Sequence, residues 1–195
     1  MTALRPDLAA IAAAVPHGAR VLDVGCGDGA LLAALRAEKG VDGRGIELSG
    51  ANVAAAVARG LSVVQGDADT DLGDYPTAAF DVAILSDTLQ AMRAPDVVLT
   101  ELVRIARTAV VAFPNFGHWS VRFSMLFSGQ APRTKLFPYE WYESPNIHYL
   151  TVHDFETLVT RQGFKIERRY FLAGSRRVTL FPNLMAEVAV FLVGK

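Results

Sequence analysis

The stretch Arg20–Gly29, Arg-Val-Leu-Asp-Val-Gly-Cys-Gly-Asp-Gly, constrains the fold of this chain more than any other. Val21, Leu22 and Val24 make an apolar, partly β-branched run that reads as a buried strand. Gly25, Gly27 and Gly29 follow at every second position, and a helical pattern begins at Ala30. A strand, a glycine turn and a helix start together make a ligand cradle. Glycine lets the backbone come close to a ligand and adopt positive φ, and the open N–H groups of a helix start favour acceptor groups. Two ligand classes fit the spacing. Gly25, Gly27 and Ala30 satisfy the dinucleotide pattern G-x-G-x-x-G/A, with an acid about 20 residues later at Glu47. Asp23 followed by alternating glycines suits S-adenosylmethionine (SAM) instead.

The rest of the chain alternates strand and helix. Leu4, Leu8, Ile11 and Val15 share one face of a helix over Arg5–Val15, with Pro6 in its first turn. A helix over Ala30–Glu38 closes at Lys39-Gly40. Arg44–Leu48 reads as the second strand, and Ser49 as the N-cap of a helix to Ala58. Leu61–Gln65, Phe80–Leu85 and Thr108–Phe113 are the third, fourth and fifth strands. Ser86–Gln90 starts a helical passage, and a helix from Pro95 carries Val98, Leu102 and Ile105 on one face. Thr151 with Asp154 resembles a capping box for a helix to Arg161. Phe164–Leu172 is the sixth strand and Leu184–Val193 the last, antiparallel beside it. The expected architecture is one α/β domain over residues 1–195, with a mostly parallel seven-stranded sheet, an antiparallel terminal strand, and the ligand site at the C-terminal strand ends.

Residues 114–150 break this rhythm. They hold four of the nine prolines and both tryptophans, with one helix expected near Ser120–Phe127. A long loop inside a compact domain is usually functional. Phe137, Tyr139, Trp141, Tyr142 and Tyr149 suit either a lid over a pocket or a docking surface, where Tyr and Trp anchors are common.

Composition excludes several classes. No apolar run reaches the length of a membrane span, and Asp7 interrupts what would have to be a signal peptide. The single cysteine, Cys26, cannot form an internal disulfide, so a cytoplasmic location is expected. A net charge of −1 argues against nucleic-acid binding. That charge is uneven: residues 1–100 carry 7 Lys/Arg against 13 Asp/Glu, and residues 101–195 carry 12 against 7. An acidic ligand half suits a cationic cofactor such as SAM.

The acids decide between the two ligands. Glu47 at a strand end can accept both ribose hydroxyls, which NAD and SAM share. Asp67, in Gly-Asp-Ala-Asp, can accept from an adenine amino group, and the nicotinamide pattern does not require it. With Asp23 and the terminal hairpin, it favours SAM; Asp69, Asp71 and Asp74 read as solvated. Methyl transfer from SAM is an in-line displacement that depends on positioning and desolvation. A base is needed only when the acceptor must lose a proton, and the candidates are Asp87, His118 and His148. Cys26 reads as a small packing residue. No His/Cys/Asp/Glu set has metal-ligand spacing, so no metal is expected. Pro114-Asn115-Phe116 has the wrong order and place for the Asn/Asp-Pro-Pro-Tyr signature of nucleic-acid amino methyltransferases. No G-x-S-x-G nucleophile elbow is present.

Asp23–Gly29, Glu47, Asp67 and Phe80-Asp81-Val82 resemble the ordered motifs of class I SAM-dependent methyltransferases. Gly-Ile-Glu-Leu-Ser, Leu-Ser-Asp-Thr-Leu-Gln-Ala, Phe-Pro-Asn-Phe-Gly-His-Trp and Tyr-Glu-Trp-Tyr-Glu-Ser-Pro-Asn-Ile-His-Tyr-Leu-Thr extend the likeness over nearly the whole chain, to the bacterial MetW family of methionine biosynthesis proteins. The resemblance implies a Rossmann-like class I methyltransferase fold. It also implies SAM or S-adenosylhomocysteine at Asp23, Gly25, Cys26, Gly27, Gly29, Glu47, Leu48, Asp67, Ala68 and Ser86. It further implies a role as partner or activator of a homoserine O-acyltransferase, with the aromatic loop as docking surface. The alternative is an active methyltransferase on a small-molecule acceptor.

Overall fold

A computed structural model describes residues 4–195. The reading of the chain's start as lacking a leader includes Met1–Ala3, which lie outside the described residues. One eight-stranded sheet runs through the molecule in the order β3-β2-β1-β4-β5-β8-β6-β7. The strands are β1 (Arg20–Val24), β2 (Asp42–Glu47), β3 (Ser62–Gln65), β4 (Phe80–Ser86), β5 (Ala106–Pro114), β6 (Lys165–Ala173), β7 (Arg176–Arg177) and β8 (Val188–Gly194). The helices are α1 (Pro6–Ala14), α2 (Ala30–Lys39), α3 (Gly50–Ala58), α4 (Ala68–Asp71), α5 (Pro95–Ile105), α6 (Trp119–Ser128), α7 (Val152–Arg161) and α8 (Pro182–Met185). The first five strands are parallel, and β8 pairs antiparallel with both β5 and β6.

Alternate residues of the central strands enter two cores. Leu22, Ala83, Leu85, Val111, Phe113 and Phe191 face α5 and α7, where Phe113, Phe155 and Phe191 pack with centroids 4.8–5.9 Å apart. Val21, Val82, Ile84, Val110, Ala112 and Val190 face α1 and α2. A sheet covered on both faces needs apolar residues at successive positions, which is why these strands read as continuous apolar runs.

The sheet has eight strands where seven were expected. Arg176 and Arg177 pair with Ala173 and Leu172 across the turn at Gly174-Ser175, so the basic turn is itself a short edge strand. The last strand also starts later than Leu184. Pro182, whose fixed φ suits a first helical turn, opens α8, and sheet pairing begins at Val188 opposite Pro114. The passage after β4 is a single 3₁₀ turn, Leu89–Ala91, rather than a longer helix, because β4 extends to Ser86 and Asp87 takes a left-handed φ of 54°. The capping box forms as read. Thr151 Oγ1 accepts from Asp154 N at 3.3 Å, and Asp154 Oδ2 accepts from Thr151 N at 3.0 Å. Thr151→Ala is expected to cost about 1 kcal/mol in urea unfolding, with α7 the first segment to lose amide-exchange protection.

Candidate functional site

The strand order reverses between β1 and β4: from β1 the chain goes outward to β2 and β3, and from β4 to β5. In open α/β sheets such a reversal leaves a crevice at the carboxyl ends of the strands. Here it holds a cavity of about 670 Å³, lined by the end of β1, the glycine turn, Glu47, the end of β4 and the N-terminal segment Leu4, Arg5 and Leu8. That volume is in the range of small-molecule sites.

The glycine turn is held open by its own backbone. Gly25 N and Cys26 N both donate to Ile46 O, at 2.8 and 3.3 Å, which folds the turn across β2. Gly25, Gly27 and Gly29 have φ of 71°, 56° and 76°. A Cβ on Gly25 would sit 2.6 Å from Thr88 Oγ1, so only glycine lets β1 and the β4 turn approach this closely. A Cβ on Gly27 would meet nothing within 4 Å. Cys26 packs on Gly45, where an added Cβ would lie 2.6 Å from its sulfur. Burial, with Asp23 and Glu47 nearby, pushes the Cys26 thiol up to about 12, so it remains a thiol and fills space.

The acids divide into satisfied and unsatisfied. Glu47 Oε2 accepts from Gly27 N at 2.8 Å, and Oε1 accepts from Ser49 N at 2.9 Å, so this side chain pins the glycine turn to the start of α3. Asp28, in the turn, holds Arg59 at 2.6 Å. Asp23 is buried in the cavity wall, and among the described residues none donates a hydrogen bond to it. Desolvation, then the charge of Glu47, raises its carboxyl to about 7. Ser86, also in the wall, has its Oγ buried without a partner among the described residues. Asp87 is bound by Arg5, which reaches over from the N-cap of α1 and also holds Asp7 at 2.7 Å. Burial raises the Asp87 carboxyl, and Arg5 opposes that rise.

Of the residues read as ligand contacts, Asp23, Gly25, Cys26, Gly27, Glu47 and Ser86 line the cavity. Gly29 is the N-cap of α2 behind it, and its Cβ would strike Leu61. Leu48 is exposed beyond the rim. Asp67 caps α4, accepting from Asp69 N at 3.0 Å, and Ala68 packs against the core under it. Of the three candidate bases, only Asp87 lines the cavity. His118 is buried as the N-cap of α6, its Nδ1 accepting from Ser120 N at 3.3 Å, and burial lowers its basicity. His148 lines a separate cavity of about 250 Å³ with Leu89, Phe155 and Leu158. Sequence reading missed Arg5, Asn52, Arg59 and Thr88. Each comes from a turn or helix end whose local pattern carries no ligand signal.

The aromatic segment divides in two. Phe137 and Tyr149 pack on Phe116, with centroids 5.2 and 4.5 Å away. Trp141 and Tyr142 stand out from the surface, 73% and 67% exposed. On α6 only Val121 is buried, whereas Trp119, Phe123 and Phe127, four residues apart, stack into an exposed ladder with centroids 6.1 and 5.5 Å apart. No helix among the described residues is long and apolar enough to cross a membrane. No metal-binding cluster occurs among them either.

Comparison with known proteins agrees with this geometry. The family model of the methionine biosynthesis protein MetW matches residues 5–193. The bifunctional methionine biosynthesis protein MetXA/MetW of Rhodopirellula baltica is 31% identical over 200 aligned positions, which span 96% of this chain and 32% of that one. The chain thus covers about a third of that relative's length. Among solved structures, a TehB-like SAM-dependent methyltransferase from Corynebacterium glutamicum superposes with a TM-score of 0.67 at 18% identity, over 99% of this chain and 89% of that one. The putative methyltransferase in complex with the Trm112 methyltransferase activator of Haloferax volcanii gives a TM-score of 0.71 at 18% identity, over 96% and 88%. These two likenesses establish the Rossmann-like methyltransferase fold, antiparallel at its end.

Proposed function

The chain belongs to the MetW family of methionine biosynthesis proteins, and from that membership we propose that it acts as a SAM-binding partner and activator of a homoserine O-acyltransferase. The observation that carries the partner role is the outward aromatic ladder of α6, joined by Trp141 and Tyr142. A helix that turns Trp119, Phe123 and Phe127 to solvent and buries only Val121 has its apolar face the wrong way round for a lone globular chain. A relative that carries MetXA and MetW in one chain supports physical association of the two activities.

The ligand half of the proposal rests on unsatisfied groups. Asp23 and Ser86 line a cavity floored by Gly27, where a Cβ would meet open space, and the buried Ser86 hydroxyl has no partner among the described residues. A buried acceptor and hydroxyl without partners are costly unless a ligand completes them. SAM would present an ammonium group to Asp23 and ribose hydroxyls to Glu47, and would supply an electrophilic methyl group. Asp87 is the one candidate base at the cavity, and its ion pair with Arg5 favours a binding role over proton removal.

The test is reconstitution. The purified chain is mixed with the homoserine O-acyltransferase of the same cell, with and without SAM. A complex on size exclusion and a rise in acyl transfer are expected. The double variant Phe127→Ser/Trp141→Ser is expected to weaken the complex at least 10-fold with SAM binding intact. No complex and no change in acyl transfer at micromolar concentrations would end this reading.

A further inference from the structure

The cavity holds two cations, Arg5 and Arg59, among the acids Asp23, Asp28, Glu47 and Asp87. Arg59 is committed to Asp28 at the rim. Arg5 is placed differently. It enters from α1 and closes the cavity over Asp87, and both of its ion-pair contacts are made by Nη2 alone. Among the described residues its Nε and Nη1 donate to nothing. A guanidinium offers donors in a fixed fork that matches a carboxylate, so a cavity-lining arginine with two idle nitrogens is an incomplete carboxylate site. Asp7, itself largely shielded from solvent, holds Nη2 at 2.7 Å and shares it with Asp87, and the Arg5 side chain is 60% exposed, so Nε and Nη1 stay open to a ligand.

Asp23 lines the same cavity and is the complementary half: a buried carboxylate with no donor among the described residues. An arginine with free donors and a carboxylate without a donor among the described residues, lining one cavity, form a template for a zwitterion. We propose that Arg5 receives the α-carboxylate of the ligand's amino-acid end while Asp23 receives its ammonium, so that Arg5 selects for adenosyl ligands that retain the carboxylate. This rests on the SAM-binding reading above. It adds a residue that comes from the N-terminal segment, outside the glycine-turn motif.

Equilibrium dialysis or calorimetry with three probes tests it: SAM, decarboxylated SAM, and 5′-methylthioadenosine, which lacks the amino-acid end. The wild-type chain is expected to prefer SAM over decarboxylated SAM by at least 10-fold, despite the higher positive charge of the latter in an acidic cavity. Arg5→Gln is expected to weaken SAM 10- to 100-fold and to leave decarboxylated SAM within about 3-fold, abolishing the preference. Arg5→Lys, which keeps the charge without the fork, should fall between. Arg20→Gln should keep the wild-type preference, because Arg20 pairs with Asp81 outside the cavity. Circular dichroism of each variant separates loss of fold from loss of selectivity. If Arg5→Gln weakens both sulfonium probes equally, or neither, the assignment of Arg5 is wrong while SAM binding stands. If none of the three probes binds the wild-type chain, the SAM reading falls and this assignment with it.

Discussion

Asp23→Asn is expected to separate binding from stability in opposite directions: ligand affinity falls at least 100-fold, while the free protein becomes more stable at pH 8. The side chain is buried, receives no hydrogen bond among the described residues, and has its carboxyl raised to about 7 because burial and Glu47 disfavour its charge. Relative to the ordinary value of 3.8, that corresponds to about 4 kcal/mol held against the ionised form. Between pH 3.8 and about 7 the folded chain holds a proton here that the unfolded chain has lost. Folding stability therefore falls as pH rises through that window, and stays low above it. Asparagine has no charge to bury. Its amide still lacks partners, which offsets part of the gain, so an increase of about 2–3 kcal/mol at pH 8 and little change at pH 4 are expected from urea unfolding. The same ionisation governs the ligand. Only the charged carboxylate can accept an ammonium group as an ion pair, so wild-type affinity for SAM is expected to rise from pH 6 to pH 8, and that slope should vanish in Asp23→Asn. A variant that is less stable than wild type at pH 8 would show that Asp23 is not an isolated buried charge.

A residue that costs folding energy unless a ligand pairs with it fits a binding function. The neighbouring acids behave otherwise. Glu47 makes two short bonds to backbone N–H groups and holds the glycine turn in place, so it is structural before any ligand arrives. The sequence reading gave Glu47 a ribose role, and the two roles are compatible, since each carboxylate oxygen has a second lone pair.

What could be read from the sequence was local. The strand–glycine–helix stretch announced itself because an apolar run, alternating glycines and a helix start lie within one turn of chain. The strands between Phe80 and Phe113 were legible because both faces are covered, which leaves little room for polar residues. The Thr151–Asp154 capping box was legible for the same local reason. The Arg5–Asp87 pair joins residues 82 apart in sequence, and neither end carries a pattern that names the other. The ladder of Trp119, Phe123 and Phe127 was visible as a spacing of four. Periodicity gives the stripe and leaves open whether it faces inward or to solvent. Asp67, read from sequence as an adenine contact, caps α4 through Oδ1, a second role that its place before a short helix also allows. The edge strand β7 has only two residues, too short for any alternation to register.

Asn115 is the largest of these omissions, and Asn115→Ala is expected to destabilise the protein by about 3–5 kcal/mol. In sequence it stands in a motif of the wrong order and in the Phe-Pro-Asn-Phe-Gly-His-Trp stretch, with no sign of its four hydrogen bonds. In the fold it is fully buried, at the end of β5. Its Nδ2 donates to Ala186 O at 2.9 Å and Asn183 O at 3.0 Å, and its Oδ1 accepts from Gly117 N at 3.0 Å and Val152 N at 3.3 Å. One amide therefore ties α8, the turn into α6 and the first residue of α7 to the sheet. Alanine leaves those carbonyls and N–H groups without partners in a buried place, and the segments that carry the aromatic surface lose their common anchor. Asn115→Asp separates the two halves of the amide. It keeps the acceptor for Gly117 and Val152 but turns an oxygen toward the two carbonyls, one of which a carboxylic acid can satisfy by donating its single proton, while a carboxylate satisfies neither. Its folded carboxyl is therefore raised, and its stability is expected to fall as pH rises from 5 to 8, a slope that Asn115→Ala lacks. Urea unfolding at the two pH values measures both effects, and hydrogen exchange should place the loss at residues 116–128, 150–153 and 182–187. A cost below 1 kcal/mol for the alanine variant would mean that these backbone groups find other partners, and that α6 is held by His118 and Arg122, whose Nε donates to Gly117 O at 2.6 Å, without help from this amide.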